Sequence, residues 1–182
     1  MAERVSVVGV AGSGKTTLAT ALGERLGVPM VELDSIVWAG AAWQRVPAGE
    51  LRERFERVDH DQRWVMDGYY GDLTESVVWP RADTVVWLDL PRQVVLVRAA
   101  RRSLRRILRR EELWGGNRES LRDLVSWNPE RSILRWIWIQ HGVRRRQFLA
   151  ASVDPRWADT EFIRLCSRAE IETFLAGLEA RR

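Results

Sequence analysis

One short stretch of this 182-residue chain, GVAGSGKTT at positions 9–17, has residue types and a spacing that suit one chemistry. Gly9, Gly14, Lys15 and Thr16 complete the pattern G-x-x-x-x-G-K-[ST]. Its glycines, with Gly12 between them, let successive backbone N–H groups turn inward around a phosphate. A helix predicted to begin near Lys15 adds the positive end of its dipole. Thr16 can place a hydroxyl on a Mg²⁺ that the phosphates also bind. Gly9, Gly12, Ser13, Gly14, Lys15, Thr16 and Thr17 are therefore the expected nucleotide-binding residues. Lys15 is the only lysine in the chain, and every other Lys-or-Arg position is arginine. A compact ammonium on a slim stem fits a tight phosphate loop, where a planar guanidinium needs fork geometry.

Three carboxylates are expected at strand ends beside this loop: Asp34, Asp67 and Asp89. Asp67 or Asp89 can serve Mg²⁺ through water. Asp67 is the better placed, because Gly68 after it leaves room for a ligand, whereas Asp89 precedes Leu90-Pro91 and equally reads as a turn or cap residue. Asp34 falls on the acceptor side, where it orients or deprotonates a substrate hydroxyl or else caps a helix. Trp38 and Trp43 follow it in a loop-like stretch, and Tyr69 and Tyr70 follow Gly68. These aromatics either stack on a flat or sugar-like acceptor or pack their loops onto the body. Arg98 and Arg102 are one turn apart on a predicted helix over 93–113, nearest the strand ends, where they can spread the charge of a transferring phosphoryl group. Arg118 is expected to close over the same reaction. The helix takes its apolar face from Leu96, Ala100, Leu104, Ile107 and Leu108, and Arg101 and Arg110 read as solvated. Trp64, Trp87, Trp136 and Trp138 read as core and Cys166 as a buried thiol. His60 and His141 are far apart and lack a cysteine partner for zinc.

These residues need elements to position them. RVSVVG at 4–9 is a β-branched strand running into the loop, and 16–26 has helical spacing until Gly27 and Pro29 stop it. Further strands are predicted at 29–33, 64–66, 84–88 and 161–165, with helices at 50–61, 118–127, 130–151 and 169–178. Short apolar strands alternating with helices imply a parallel sheet covered on both faces, with ligands at the C-terminal strand ends. The whole chain, 1–182, is expected to form one domain, with a mobile lid near 105–120.

Composition narrows the class. Net charge is +4 and the pI about 10.1, compatible with nucleic acid, anionic lipid or phosphorylated small molecules as partners. A lone cysteine excludes an intramolecular disulfide. Residues 5–10 are too few for a signal peptide or membrane span, so a cytoplasmic protein, monomer or homodimer, with no membrane partner is the expectation. The absence of a second lysine excludes the N-K-x-D motif of GTPases.

The chain resembles a bacterial family within the nucleoside and nucleotide kinase-like P-loop proteins, labelled "DNA topology modulation protein" or adenylate kinase-like. The resemblance rests on GVAGSGKTTLATALGERLGVP, VELDSIVW followed by Trp43, WVMDGYY, DTVVWLDLPR and RLCSRAEIETFL. It implies a three-layer α/β P-loop NTPase fold, with a five-stranded parallel sheet in the order 2-3-1-4-5, helices on both faces and a short arginine-rich lid, using ATP and Mg²⁺. By similarity Asp34 falls in the acceptor region and Asp67 at the Mg²⁺ or acceptor position. Arg98 and Arg102 match an R-x-x-x-R in which the first arginine packs on adenine and the second meets phosphate. Ser167-Arg168 matches the segment bordering the base. The sequence departs from adenylate kinases where DGYYG replaces DGFPR, which removes an acceptor-contacting arginine, and where GGNRES replaces a long lid insert.

The expected activity is an ATP- and Mg²⁺-dependent transfer of the γ-phosphoryl group to a small-molecule acceptor. Lys15, Asp34, Arg98 and Arg102 would be catalytic, Asp34, Trp38, Asp67 and Tyr70 on the acceptor side, and Thr16 and Asp67 at the metal. The alternative is a nucleotide-binding regulator that contacts nucleic acid through the arginine-rich helix, although that helix carries no interleaved aromatics.

Overall fold

The computed structural model describes residues 4–40, 43–57 and 63–179. Runs of β-branched and apolar residues form five strands of one sheet: β1 (Arg4–Gly9), β2 (Met30–Glu32), β5 (Trp64–Asp67), β6 (Thr84–Leu88) and β7 (Glu161–Leu165). A separate two-stranded antiparallel hairpin is formed by β3 (Trp38–Gly40) and β4 (Gln44–Arg45). The main sheet runs β2-β5-β1-β6-β7 with every pair parallel. Counted along the chain, that is the order 2-3-1-4-5 which the family resemblance implied. The register aligns Val7 with Asp67, Gly9 with Leu88, and Glu32 with Asp67. The chain leaves central β1 toward β5 and β2, then crosses to β6 on its other side. Such a switch point opens a crevice at the C-terminal end of β1.

Alternation along the strands divides the core in two. Val5 and Val7 of β1, Val65 of β5 and Val86 and Leu88 of β6 face α1 (Lys15–Leu26), whose Leu18, Ala19 and Leu22 are buried against them, and α7 (Arg168–Glu179). Val8, Trp64, Met66, Val85 and Trp87 face the other way. They meet α2 (Leu33–Val37), α3 (Ala48–Arg57), α6 (Ile133–Ala151) and the turns around Trp79. Trp79 is fully buried among Tyr69, Phe148, Trp157 and Phe162, with ring centroids 5.5–6.4 Å away. A third cluster, with Val10, Leu90, Val95, Ala99 and Ile137, fastens α4 (Arg92–Arg109) and α6 to the loop after β1. The short α5 (Leu121–Leu124) lies between these two helices.

Several expectations are corrected. Asp34 lies inside α2 rather than at a strand end, and in the stretch expected as loop β3 and β4 pair, with Val46 N–H donating to Val37 O at 2.9 Å. Helix α4 ends at Arg109, because Arg110 takes a left-handed conformation (φ 52°) and its N–H caps the carbonyls of Arg106 and Ile107. The buried face of α4 is Val95, Ala99 and Ser103, whereas Leu104 and Leu108 are 45% and 75% exposed. Trp138 is not core but 55% exposed, beside Trp127 at 79%. Cys166 is only partly buried. His60 and the end of the helix predicted over 50–61 lie outside the described residues. Among the described residues no helix is long and apolar enough to cross a membrane.

Candidate active site

The loop after β1 has the backbone that its glycines permit. Gly9, Gly12 and Gly14 all have positive φ, at 151°, 82° and 99°. A Cβ on Gly12 would meet Val95 O at 2.4 Å and one on Gly9 would meet Leu88 O at 2.9 Å, so β6 and α4 press against the loop and hold its shape. Gly14 begins α1 without any side-chain cap, and the first turn carries no acid. The free N–H groups of that turn therefore stand open to an anion. Lys15 Nζ curls back to Val10 O at 3.4 Å. Arg98 reaches the loop from α4, with Nη1 donating to Ser13 O at 3.4 Å. Ser13 is fully buried and its hydroxyl has no partner.

Asp67 ends β5, the strand paired with β1, and so faces the loop. Its Oδ2 accepts from the Thr16 hydroxyl at 2.5 Å, while its Oδ1 is buried with no partner. Burial pushes this carboxyl above the ordinary range and the charge of Asp34 adds to the effect; Lys15, the Thr16 hydrogen bond and Arg102 act against it. A hydroxyl and a carboxylate oxygen are hard oxygen donors of the kind Mg²⁺ takes, and the orphaned Oδ1 is one still free to ligate. Gly68 follows with φ 137°, and a Cβ there would come within 2.9 Å of Leu33 Cβ. This glycine thus lets β5 and α2 converge.

Asp34 lies in the first turn of α2. It accepts a short hydrogen bond from the Tyr70 hydroxyl. Burial, then the Asp34 carboxylate, hold that phenol protonated. Arg102 is half-buried near both Asp34 and Asp67, and its Nε has no partner. Its pKa is lowered first by burial and then by neighbouring Arg106.

The segment predicted as a lid folds onto the acceptor side. The turn Trp114–Gly116 packs against β3 and α2. Trp114 Nε1 donates to Glu32 Oε2 at 3.1 Å, and Trp43 N–H donates to Asn117 Oδ1 at 2.7 Å. Burial raises the Glu32 pKa, the Trp114 bond lowers it, and Asp67 and Asp34 raise it further. Behind this turn Arg106 pairs with Glu119 at 2.9 Å.

Contacts and charge thus link Lys15, Thr16, Asp67, Asp34, Tyr70 and Arg102, and Arg98 reaches the same loop. Trp38 neighbours Tyr70, with Trp43 edge-on to it at 5.8 Å between ring centroids. Thr17 is exposed on the first turn of α1. Ser167 sits apart, at the end of β7, where its hydroxyl and Glu170 cap α7. Arg118 turns outward to Glu112. Asp89 is bound by Arg164 at 2.5 Å and Arg145 at 3.1 Å, so of the two carboxylates weighed for the metal only Asp67 meets Thr16. Arg45, Glu32, Trp114 and Asn117 were not singled out from the sequence. Arg45 stands across from Trp38 on the two antiparallel strands, a pairing that no local sequence pattern announces.

Comparisons with known proteins bear on the fold. Residues 5–79 are similar to the family described as "ATPase family associated with various cellular activities (AAA)". The Bacillus subtilis (strain 168) protein YqaC is 26% identical over 132 residues, covering 70% of this chain and 71% of that protein. A shikimate kinase from Bacteroides thetaiotaomicron superposes with a TM-score of 0.55 at 19% identity, over 100% of this chain and 98% of that one. A deoxyadenosine kinase from M. mycoides gives 0.52 at 12% identity, over 98% and 100%. The chain has a P-loop kinase-like fold. At these identities the likeness shows the fold, and what the site does is argued from its own residues.

Proposed function

We propose that the protein is an ATP- and Mg²⁺-dependent kinase that transfers the γ-phosphoryl group to a small-molecule acceptor. The observation that carries this reading is the contact of Thr16 with Asp67 beside an uncapped helix start and Lys15. The backbone amides of the loop and Lys15 hold the β- and γ-phosphates. Thr16 and Asp67 would hold the metal. Mg²⁺, when bound, would neutralise charge on the phosphate oxygens. Asp34 orients the acceptor hydroxyl and takes its proton, and Tyr70 fixes which carboxylate oxygen is left for that task. Arg98 and Arg102 spread charge on the transferring group. Trp114 and Trp43 close the acceptor side against water, which would otherwise hydrolyse ATP. The fold shared with shikimate and deoxyadenosine kinases supports a small acceptor.

The test is a thermal-shift screen of nucleosides, nucleotides and hydroxylated metabolites with a non-hydrolysable ATP analogue and Mg²⁺. Ligands that stabilise only in their presence are expected. A protein that ignores the ATP analogue contradicts the reading.

One observation favours a second reading, a regulator that contacts nucleic acid. Exposed Trp127 and Trp138 lie under Arg135 and Arg92, at 4.2 and 4.9 Å, and supply beside α4 the aromatics that α4 lacks. Single-stranded oligonucleotide binding that weakens steeply with salt and is lost in Trp127→Ala would support it.

A further inference from the structure

Arg45 is exposed and, among the described residues, has no acidic partner. The register of the hairpin sets it opposite Trp38, and its guanidinium carbon lies 5.9 Å from the Trp38 ring centroid. The same carbon lies 5.6 Å from the ring centroid of Tyr70. Both rings pack on the core behind them, so the cation lies over two aromatic faces anchored to the body. Among the described residues Arg45 forms no ion pair, whereas surface arginines such as Arg54, Arg57 and Arg168 each have a glutamate four residues away.

Arg45 and Asp34 meet the same tyrosine, Arg45 over its face and Asp34 at its hydroxyl. The two opposite charges do not pair, because the Tyr70 hydroxyl occupies Asp34 Oδ1 and its ring carries the guanidinium. The rest of the acceptor side is acidic, with Glu32, Asp34 and Asp67 within each other's influence. Against these acids stand Lys15 and Arg102 beside Asp67 and Arg106 beside Glu32, while Arg45 lies at the Tyr70 side.

We propose that Arg45 is the acceptor-binding residue that selects a hydroxylated anion, with the acceptor hydroxyl at Asp34 and its carboxylate or phosphate on the Arg45 guanidinium between Trp38 and Tyr70. This rests on the kinase reading of the same site and names its substrate class. A planar guanidinium held by two aromatic faces keeps its N–H edge free, which is the geometry that takes an oxyanion in a forked pair of hydrogen bonds. A neutral sugar or nucleoside leaves that cation unmet.

The test pairs each acid with its neutral counterpart: gluconate against glucose for a carboxylate, and adenosine 5′-monophosphate against adenosine for a phosphate. Stabilisation by each is measured with Mg²⁺ and a non-hydrolysable ATP analogue, and turnover with Mg·ATP. At least one acid is expected to bind and to stimulate turnover where its neutral partner does not, and the pair that responds says which anion is read. Arg45→Gln is expected to raise KM for that acid at least ~10-fold with kcat within ~3-fold, and Arg45→Lys to recover part of the loss. The shift produced by the ATP analogue alone stays unchanged in both variants. Equal use of acid and neutral partner, no binding of either acid, or an unchanged KM in Arg45→Gln overturns the proposal. An ATP analogue that fails to bind the unmutated protein sinks the kinase reading itself, which separates the two failures.

Discussion

The Thr16 hydroxyl donates to Asp67 Oδ2 at 2.5 Å, tying the first turn of α1 to the end of β5. Fifty-one residues separate the two in sequence. They meet because β1 and β5 are parallel neighbours, so that both strands end on one edge, one in the phosphate loop and the other in the carboxylate. The remaining Asp67 oxygen is buried and unpartnered, which is a cost to the folded chain unless something ligates it. That cost is what the proposed metal would relieve.

Asp67→Asn and Asp89→Asn should therefore separate cleanly. The first is expected to lower kcat at least ~100-fold and to remove the dependence on Mg²⁺ while leaving the fold intact. The second breaks the contacts to Arg145 and Arg164 and is expected to cost about 1–2 kcal/mol, since both arginines stay partly in water, with Mg²⁺ dependence unchanged. Urea denaturation and a metal titration of activity check both.

Lys15→Arg should keep the protein folded and lose ATP. The loop is held by β6 and α4 at the positions of Gly9 and Gly12, so it cannot widen for a guanidinium. A fall in kcat/KM of at least ~100-fold is expected, read alongside circular dichroism to confirm folding. Retained ATP binding and turnover would contradict the point-charge role of Lys15.

Tyr70→Phe removes the hydrogen bond to Asp34 and nothing from the nucleotide side. Acceptor turnover is expected to fall about 10-fold, and by ~100-fold or more for Asp34→Asn, with ATP affinity unchanged in both. Steady-state kinetics varying ATP and acceptor separately tests this.

Glu32 links the acceptor side to pH. Its folded pKa is raised by burial above the ordinary 4.5, so between those two values the folded chain holds more protons than the unfolded one. Stability of the ligand-free protein should fall as pH rises through that window, a direction shared by Asp67. Glu32→Gln keeps an acceptor for Trp114 and should flatten the fall in Tm relative to the unmutated protein. Parallel Tm–pH curves would show that Glu32 does not drive it.

The nucleotide half was legible in the sequence because its instructions are local. Gly9, Gly12 and Gly14 specify a backbone, Lys15 and Thr16 follow at fixed spacing, and the apolar strands announce the parallel sheet. The acceptor half was not, because it is assembled by long-range contacts that no local pattern encodes. Trp114 reaches Glu32 and Asn117 reaches Trp43 across more than seventy residues. Asp89 shows the same limit: its strand-end position matched that of Asp67, and only the arrival of Arg164 from β7 and Arg145 from α6 set it apart. Helix α4 misled for another reason. Its leucines suggested the buried face, but the phosphate loop approaches at Val95 and Ala99, which are buried with Ser103, and Leu108 is outside.

The most direct test is phosphorus NMR of Mg·ATP incubated with the protein and each of the paired acids and neutral compounds. The expected result is a new phosphorylated-acceptor signal that grows as ATP falls and disappears in Asp67→Asn and Lys15→Arg. ATP converted only to free inorganic phosphate at a rate no acceptor changes, or a product signal untouched by Asp67→Asn, would contradict phosphoryl transfer at this site.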